Sequence, residues 1–338
     1  MKKLIDVNVN LPDERIELEK ITSVYDALKT LAEDKNWPKR EKVAVNINTP
    51  VEILKKLAGD EEFLVRLAVA NNKNATEEIL IKLAEDENWQ VRSKVANNIN
   101  TSEDILIRLA DDEEWWVREQ VASKIKREEV LKKLSEDKSF NVRSSVACNS
   151  NTPKEVLKKL ARDEYYFVRE AVAHNPNTPQ KDLEILAVDE GCGVRRCVAE
   201  NKNTTGEILN KLAGEEEYLV RKSVACNANT FQEDLEKLAR DKEWWVREAV
   251  ASNKSATEEI LSKLSGDEDF YVREAVASNP NTPKEILEKL ANDIKSEVRF
   301  AADYSLRNYY NIYLEVNLDE PDIHSIITDE MYYPFGVI

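Results

Sequence analysis

Glycine and proline are scarce in this chain of 338 residues, at 7 and 10. That scarcity argues against a sandwich or barrel, whose many short strands need glycine-rich turns. Positive charge is also short: 49 Lys and Arg face 65 Asp and Glu, a net charge of −16. Such a surface opposes nonspecific nucleic-acid binding, which needs cations against phosphate, and opposes an anionic membrane. No apolar run approaches the roughly 18–20 residues that cross a bilayer. After Met1-Lys2-Lys3, the residues Asp6, Asn8, Asn10, Asp13 and Glu14 interrupt any signal-peptide core, so a cytoplasmic location is the expectation. There is no phosphate-cradling glycine loop, no Gly-x-Ser-x-Gly and no His-Glu-x-x-His, and no catalytic residue is assigned.

Against these shortages stands a repeat. The pair Val65-Arg66 returns at Val91-Arg92, Val117-Arg118, Val142-Arg143, Val168-Arg169, Val194-Arg195, Val220-Arg221, Val246-Arg247, Val272-Arg273 and Val298-Arg299, in steps of 26 residues with one of 25. Arg40 fills the same slot one period earlier. A fixed period of this size means a solenoid, in which each unit hides its apolar face only by stacking on its neighbours. About eleven units of two helices each are expected over residues 23–305.

The first helix of a unit is expected at Thr-Pro-x-Glu, as in Thr49-Pro50-Val51-Glu52, with Thr as N-cap acceptor and Pro at the first helical position. Ile53, Leu54, Leu57 and Ala58 then form one apolar stripe. The second helix is expected near the Asp column (Asp34, Asp60, Asp86, Asp163, Asp241, Asp267, Asp293), with that Asp as its cap and Val65 and Val69 facing the core. Asn-x-Asn, such as Asn46-Ile47-Asn48, ends it through the left-handed conformation that Asn tolerates. Two irregularities are expected, at Ser123–Arg127, where a residue and the Asn pair are missing, and at Gly191-Cys192-Gly193. Residues 1–22 and 306–338 fall outside the pattern and are expected to be an N-terminal cap and a C-terminal cap or docking tail.

The unit Leu-Ala-x-Asp-x4-Val-Arg-x-x-Val-Ala-x-Asn-x-Asn-Thr-Pro-x-Glu-x-Leu resembles the leucine-rich repeat variant family. The resemblance implies an all-α, right-handed α-solenoid in which an α-helix alternates with a shorter, partly 3₁₀ helix. Some members hold an iron–sulfur centre on N-terminal cysteines. Residues 1–147 here contain no cysteine, so that cofactor is not carried over, and none is expected.

Three side-chain columns are candidate sites. Arg66, Arg92, Arg118, Arg143, Arg169, Arg195, Arg221, Arg247, Arg273 and Arg299, each one past a core Val, are expected to form a structural ladder paired to Asp or to helix-end carbonyls of an adjacent layer. An anion-binding stripe is the alternative. Aromatics two before each Val, among them Trp115 and Trp244, are expected to pack in the core between layers; lying three from the Arg they share its face, where stacking on it is the alternative, and Trp115 and Trp244 also count among the partner-binding candidates. Those one before the Val are Trp116, Phe167, Trp245 and Tyr271. One helical turn cannot bury these as well, so they should stand partly exposed as partner-binding hot spots.

Metal binding is not expected. His174 lies in a variable surface column, Cys148 and Cys226 lie on different layers, and Cys192 and Cys197 diverge on one helix. The expected function is a non-enzymatic scaffold binding a basic and apolar protein or peptide. Alternatives are a helical-repeat DNA glycosylase, disfavoured by charge, and a regulator of immunity type that masks an enzyme.

Overall fold

The computed structural model describes residues 24–316, with side chains through Tyr309. The expected cap at residues 1–22 lies outside the described residues, as do residues 317–338 of the C-terminal one. Among the described residues there are 22 helices and no strand. The fold is an all-α solenoid of about eleven two-helix repeats. The chain divides into two compact units, Met1–Asp182 and Leu183–Ile338.

A unit 1 repeat shows how these residues make the pair. Its first helix, Val51–Leu57, buries Ile53, Leu54 and Leu57. Its second helix, Phe63–Asn71, buries Val65 and Val69, both at 0% exposure. β-Branched Val is a modest helix former because its χ1 is restricted. Complete burial is worth about 1.5–3 kcal/mol per side chain, which outweighs a propensity cost of at most roughly 0.7. A seven-residue helix is too short to persist alone in water, so the first helices exist by packing. Within each unit, second helices pack closely on one another from layer to layer, as Phe63–Asn71 does on Trp89–Asn97 and Trp244–Ser252 on Phe270–Ser278. Both helices of a repeat are α-helical, and no 3₁₀ segment interrupts the shorter one among the described residues.

Four expected local roles are corrected, and at Thr49, Asp60 and Asn72 the reason is shared: the polar side chain reaches beyond the helix end it was assigned to. Thr49 is not an N-cap acceptor. It is buried, and its hydroxyl donates to the Val43 carbonyl at 2.6 Å, closing the preceding helix. Pro50, rather than occupying the first helical position, is the capping residue, with an extended backbone. Asp60 does not cap the second helix, which begins three residues later at Phe63. Its Oδ1 accepts from the Glu62 amide at 3.0 Å, shaping the turn, and its carboxylate points to the previous layer. Asn72 is not left-handed. Its φ of −72° and ψ of 131° are extended, and it ends the helix by bonding elsewhere.

At the shortened unit, Trp115–Lys124 is one residue longer than the other second helices, and Glu128–Leu134 follows after only three residues. Ile125 replaces the Asn and is buried, while Glu103 from the previous layer accepts from the amides of Lys126 and Arg127 at 3.1 and 3.0 Å. At Gly191, the helix Cys192–Glu200 starts in register without an aromatic ring. The last second helix overruns the expected boundary at residue 305 and continues as Ser296–Val316. Ser305 stands in the Asn column and donates its hydroxyl to the Ala277 carbonyl at 2.7 Å. A hydroxyl lacks the second donor and the amide oxygen with which Asn turns the chain.

Candidate functional site

The second helices carry three parallel columns of polar or aromatic side chains. The Arg column is the most constrained. In unit 1, Arg66 uses all five of its donors. Nε and Nη2 grip Asp86 of the next layer at 2.6 and 3.0 Å, and Nη2 also reaches Glu87 at 3.3 Å. Nη1 donates to the Asp60 and Glu61 carbonyls of its own repeat at 2.9 and 3.0 Å. Arg92 repeats this on Asp112, Arg118 on Asp137 and Arg143 on Asp163; in unit 2, Arg221 does so on Asp241, Arg247 on Asp267 and Arg273 on Asp293. Arg169 keeps the two carbonyl bonds, to Asp163 and Glu164. Arg195 meets Glu215 instead of Asp at 3.0 Å, and its Nε is buried without a partner. The longer Glu side chain presents one oxygen where Asp presents two. Forks filled in this way leave an outside anion no donor at Arg66.

The electrostatics follow. Hydrogen bonding from the paired Asp raises the already high pKa of Arg66, Arg92, Arg118, Arg143, Arg221, Arg247 and Arg273. Burial by itself would raise Asp60, Asp137 and Asp241, but the guanidinium bond, the turn amide and two nearby cations, both Arg at Asp60 and Asp137 and Arg221 with Lys242 at Asp241, together hold them below the ordinary carboxylate value. For Asp293 the Arg273 bond is the leading cause of the same depression.

A second ladder went unrecognised in the sequence. Asn72 Nδ2 donates to the Ala44 and Asn46 carbonyls of the previous layer at 2.7 and 3.1 Å, and its Oδ1 accepts from the Asn74 amide at 2.8 Å. Asn98, Asn149, Asn227, Asn253 and Asn279 make the equivalent pair of bonds. The signal was the Asn column itself, since an ordinary helix stop does not demand one residue type every 26 positions.

The aromatic columns pack between layers, as expected. They stack on one another, because two flat rings adjacent at a helix start can share a face and still bury one edge. In unit 1, Trp115 and Trp116 lie 3.9 Å apart, and Trp116 faces Trp89 of the previous layer at 6.1 Å. Tyr166 and Phe167 lie 4.0 Å apart, and Phe140 meets Tyr165 at 4.9 Å and Phe167 at 6.1 Å. The Arg143 guanidinium does lie over a ring, but that of Tyr165 in the next layer, at 5.5 Å. In unit 2, Trp244 stacks on Trp245 at 3.9 Å and on Tyr271 at 4.9 Å, and the Tyr271 ring lies tilted against Phe270 at 4.1 Å. Trp116, Phe167, Trp245 and Tyr271 remain 44, 47, 43 and 47% exposed. Trp115 and Trp244 beneath them are half-buried.

Around the unit 2 rings is an open groove of about 400 Å³, lined by Lys222, Trp245, Glu248, Tyr271 and Glu274. Lys222 Nζ sits 5.9 Å from the Trp245 ring centre and 3.6 Å from Glu248. The geometry suits apolar and cationic groups of a partner: ring faces for aliphatic stems and ammonium or guanidinium heads, and carboxylates beside them.

Cys148, Cys192 and Cys226 are exposed and Cys197 is buried. Among the described residues no three His, Cys, Asp or Glu side chains group to hold a metal ion, and no helix is long and apolar enough to cross a membrane. Two acids break the core column of the first helices: Asp182 and Asp234 stand where Ile53, Ile79, Ile208 and Ile260 stand in other repeats.

With this architecture in place, comparison with known proteins assigns the repeat. The leucine rich repeat variant family matches residues 166–191 and 272–293. A solved structure described as a leucine-rich repeat variant with a novel repetitive structural motif aligns at 27% identity over 66% of this chain and 88% of that one, with a TM-score of 0.49. An engineered protein aligns at 17% identity over 84% of this chain and 98% of the other, TM-score 0.34. Computationally designed armadillo repeat proteins for modular peptide recognition align at 16% identity over 84% and 98%, TM-score 0.12. No curated protein sequence matches the chain. The chain is an all-α helical-repeat protein, and its repeats at residues 166–191 and 272–293 are similar to the leucine rich repeat variant.

Proposed function

We propose that this chain is a non-enzymatic scaffold that binds a protein or peptide on its second-helix face. The contact residues are Trp116 and Phe167, with Trp115, in unit 1, and Trp245 and Tyr271, with Trp244, in unit 2. The supporting observation is the stacked rings at these helix starts, each leaving its outer face nearly half exposed. Rigid aromatic surface of this kind loses little entropy on binding and is typical of interface anchors. The partner is basic and apolar, because carboxylates such as Glu248 and Glu274 border the rings and the chain carries −16 overall. The Arg ladder serves the scaffold, holding layers in register. Nucleic acid and anionic membranes are not partners, on charge.

The test is the double variant Trp116→Ala, Trp245→Ala. Its far-UV circular dichroism should match that of the parent, while its affinity for the native partner, isolated by affinity capture and then titrated, should fall at least tenfold. Equal affinity of parent and variant would sink the assigned face. A mobility shift of duplex DNA at low salt would instead favour an enzyme acting on nucleic acid.

A further inference from the structure

The last described layer differs from the others. In the earlier repeats an Asn, or Ile125 at the shortened unit, ends the second helix and a first helix follows. At Ser305 the helix Ser296–Val316 runs on instead, and no first helix follows Lys284–Leu290 among the described residues. Ile286 is therefore half-buried, where Ile53 and Ile260 are 5 and 1% exposed. A groove of about 700 Å³ in the same layer is lined by Pro280, Leu287, Phe300, Tyr304 and Tyr309, among others. Phe300 and Tyr304 are 74 and 61% exposed, at positions where the previous repeat carries Glu274 and Ser278. Hydrophobic side chains have thus replaced polar ones at the last described layer, which no following repeat covers among the described residues. Arg299 makes the two carbonyl bonds of its column, to Asp293 and Ile294, yet no carboxylate among the described residues takes its fork.

We propose that residues 326–335 of this same chain fold back into that groove and close the stack. Twenty-two residues follow Val316, and they include Ile326, Ile327, Met331, Tyr332, Tyr333 and Phe335. They hold five carboxylates, at Asp319, Glu320, Asp322, Asp329 and Glu330, and no Lys or Arg. That charge suits an end bearing the open Arg299 fork and the exposed Arg307. The length suffices. The twelve residues from Tyr304 to Val316 rise about 18 Å as a helix, and the fifteen from Val316 to Met331 extend up to about 50 Å. Burying several large apolar side chains, each worth about 1.5–3 kcal/mol, provides the drive. The proposal does not rest on the aromatic face described above.

The test uses the full-length chain with Cys148, Cys192 and Cys226 replaced by Ser and Cys197 by Ala, its fold checked by circular dichroism. Tyr304→Cys is paired in turn with Ile327→Cys, Met331→Cys and Tyr333→Cys and oxidised with copper–phenanthroline. At least one pair should close within the chain, at a yield independent of protein concentration and lost in guanidinium. Disulfides only between chains would assign the groove to a second copy and overturn the proposal, as would no disulfide in any pair. If the cysteine-free background does not fold, Met331→Asp with Tyr333→Asp in the native chain replaces it. Bis-ANS fluorescence should then rise several-fold over the parent, and unchanged fluorescence would overturn the proposal.

Discussion

Arg143 holds Asp163 of the next layer through two parallel bonds, Nε to Oδ2 at 2.6 Å and Nη2 to Oδ1 at 2.9 Å, with both side chains about nine-tenths buried. A buried ion pair of this kind adds little net stability over an apolar pair, but removing one member costs about 3–5 kcal/mol because the other is left charged and unpaired. Arg143→Ala should lower stability by about that amount, and Arg143→Met combined with Asp163→Leu by less than the single change. Guanidinium unfolding followed by circular dichroism checks both. Equal losses would mean that the ladder acts by packing alone.

The Asn ladder predicts a loss without any charge. Asn253 Nδ2 donates to the Ala225 and Asn227 carbonyls at 2.7 and 3.1 Å. Asn253→Ala orphans two carbonyls, at least one of them deep in the layer contact, and should cost about 1–3 kcal/mol. Amide exchange should accelerate at residues 225–229 and 253–257 before it does elsewhere. Uniform acceleration along the chain would contradict the layer-by-layer role.

One substitution should stabilise. Asp234 is 3% exposed, accepts from Asn210 at 2.9 Å through Oδ1, and leaves Oδ2 buried without a partner. Asp234→Ile restores the side chain usual in that column. It should raise stability by roughly 1–3 kcal/mol, the cost of a buried unsatisfied group. Asn210 is exposed and can turn to water. Asp182→Ile should gain less, because Asp182 already has Arg162 at 3.3 Å. A lowered melting temperature for Asp234→Ile would show that the carboxylate is needed where it is.

Acid should loosen the whole ladder. Asp60, Asp137, Asp241 and Asp293 are held below the ordinary carboxylate value in the folded chain. A depressed folded pKa gives stability that is fully present above the unfolded value, about 3.9, and lost as pH falls through the folded one. The melting temperature should be nearly flat from pH 7 to 5 and fall steeply below about pH 4. Asp→Asn at two ladder positions should flatten that fall. An unaltered acid limb would remove these carboxylates as its cause.

The division between sequence and structure is clear at particular residues. The period of Val-Arg pairs, the stripe of Ile53, Leu54 and Leu57, and the pair Val65 and Val69 determine the number of layers and the helix pair in each. Burial by stacking is dictated by apolar spacing along the chain. The half-exposed Trp116 and Trp245 were legible too, because two rings and a Val cannot share one buried turn. The Arg–Asp pairing was expected, but that Asp60 forgoes its own helix cap was not, and neither were the partners of Thr49 and Asn72. Thr, Asp and Asn serve equally well as local caps, and nothing in their identity says whether an acceptor lies two residues away or 26. Only the stacked layers decide it, by bringing Arg40 to Asp60 and the Ala44 carbonyl to Asn72. The same contact between neighbours turned the aromatic rings towards each other. A hydrogen bond depends on distance in space, and in a solenoid that distance is set by the next repeat.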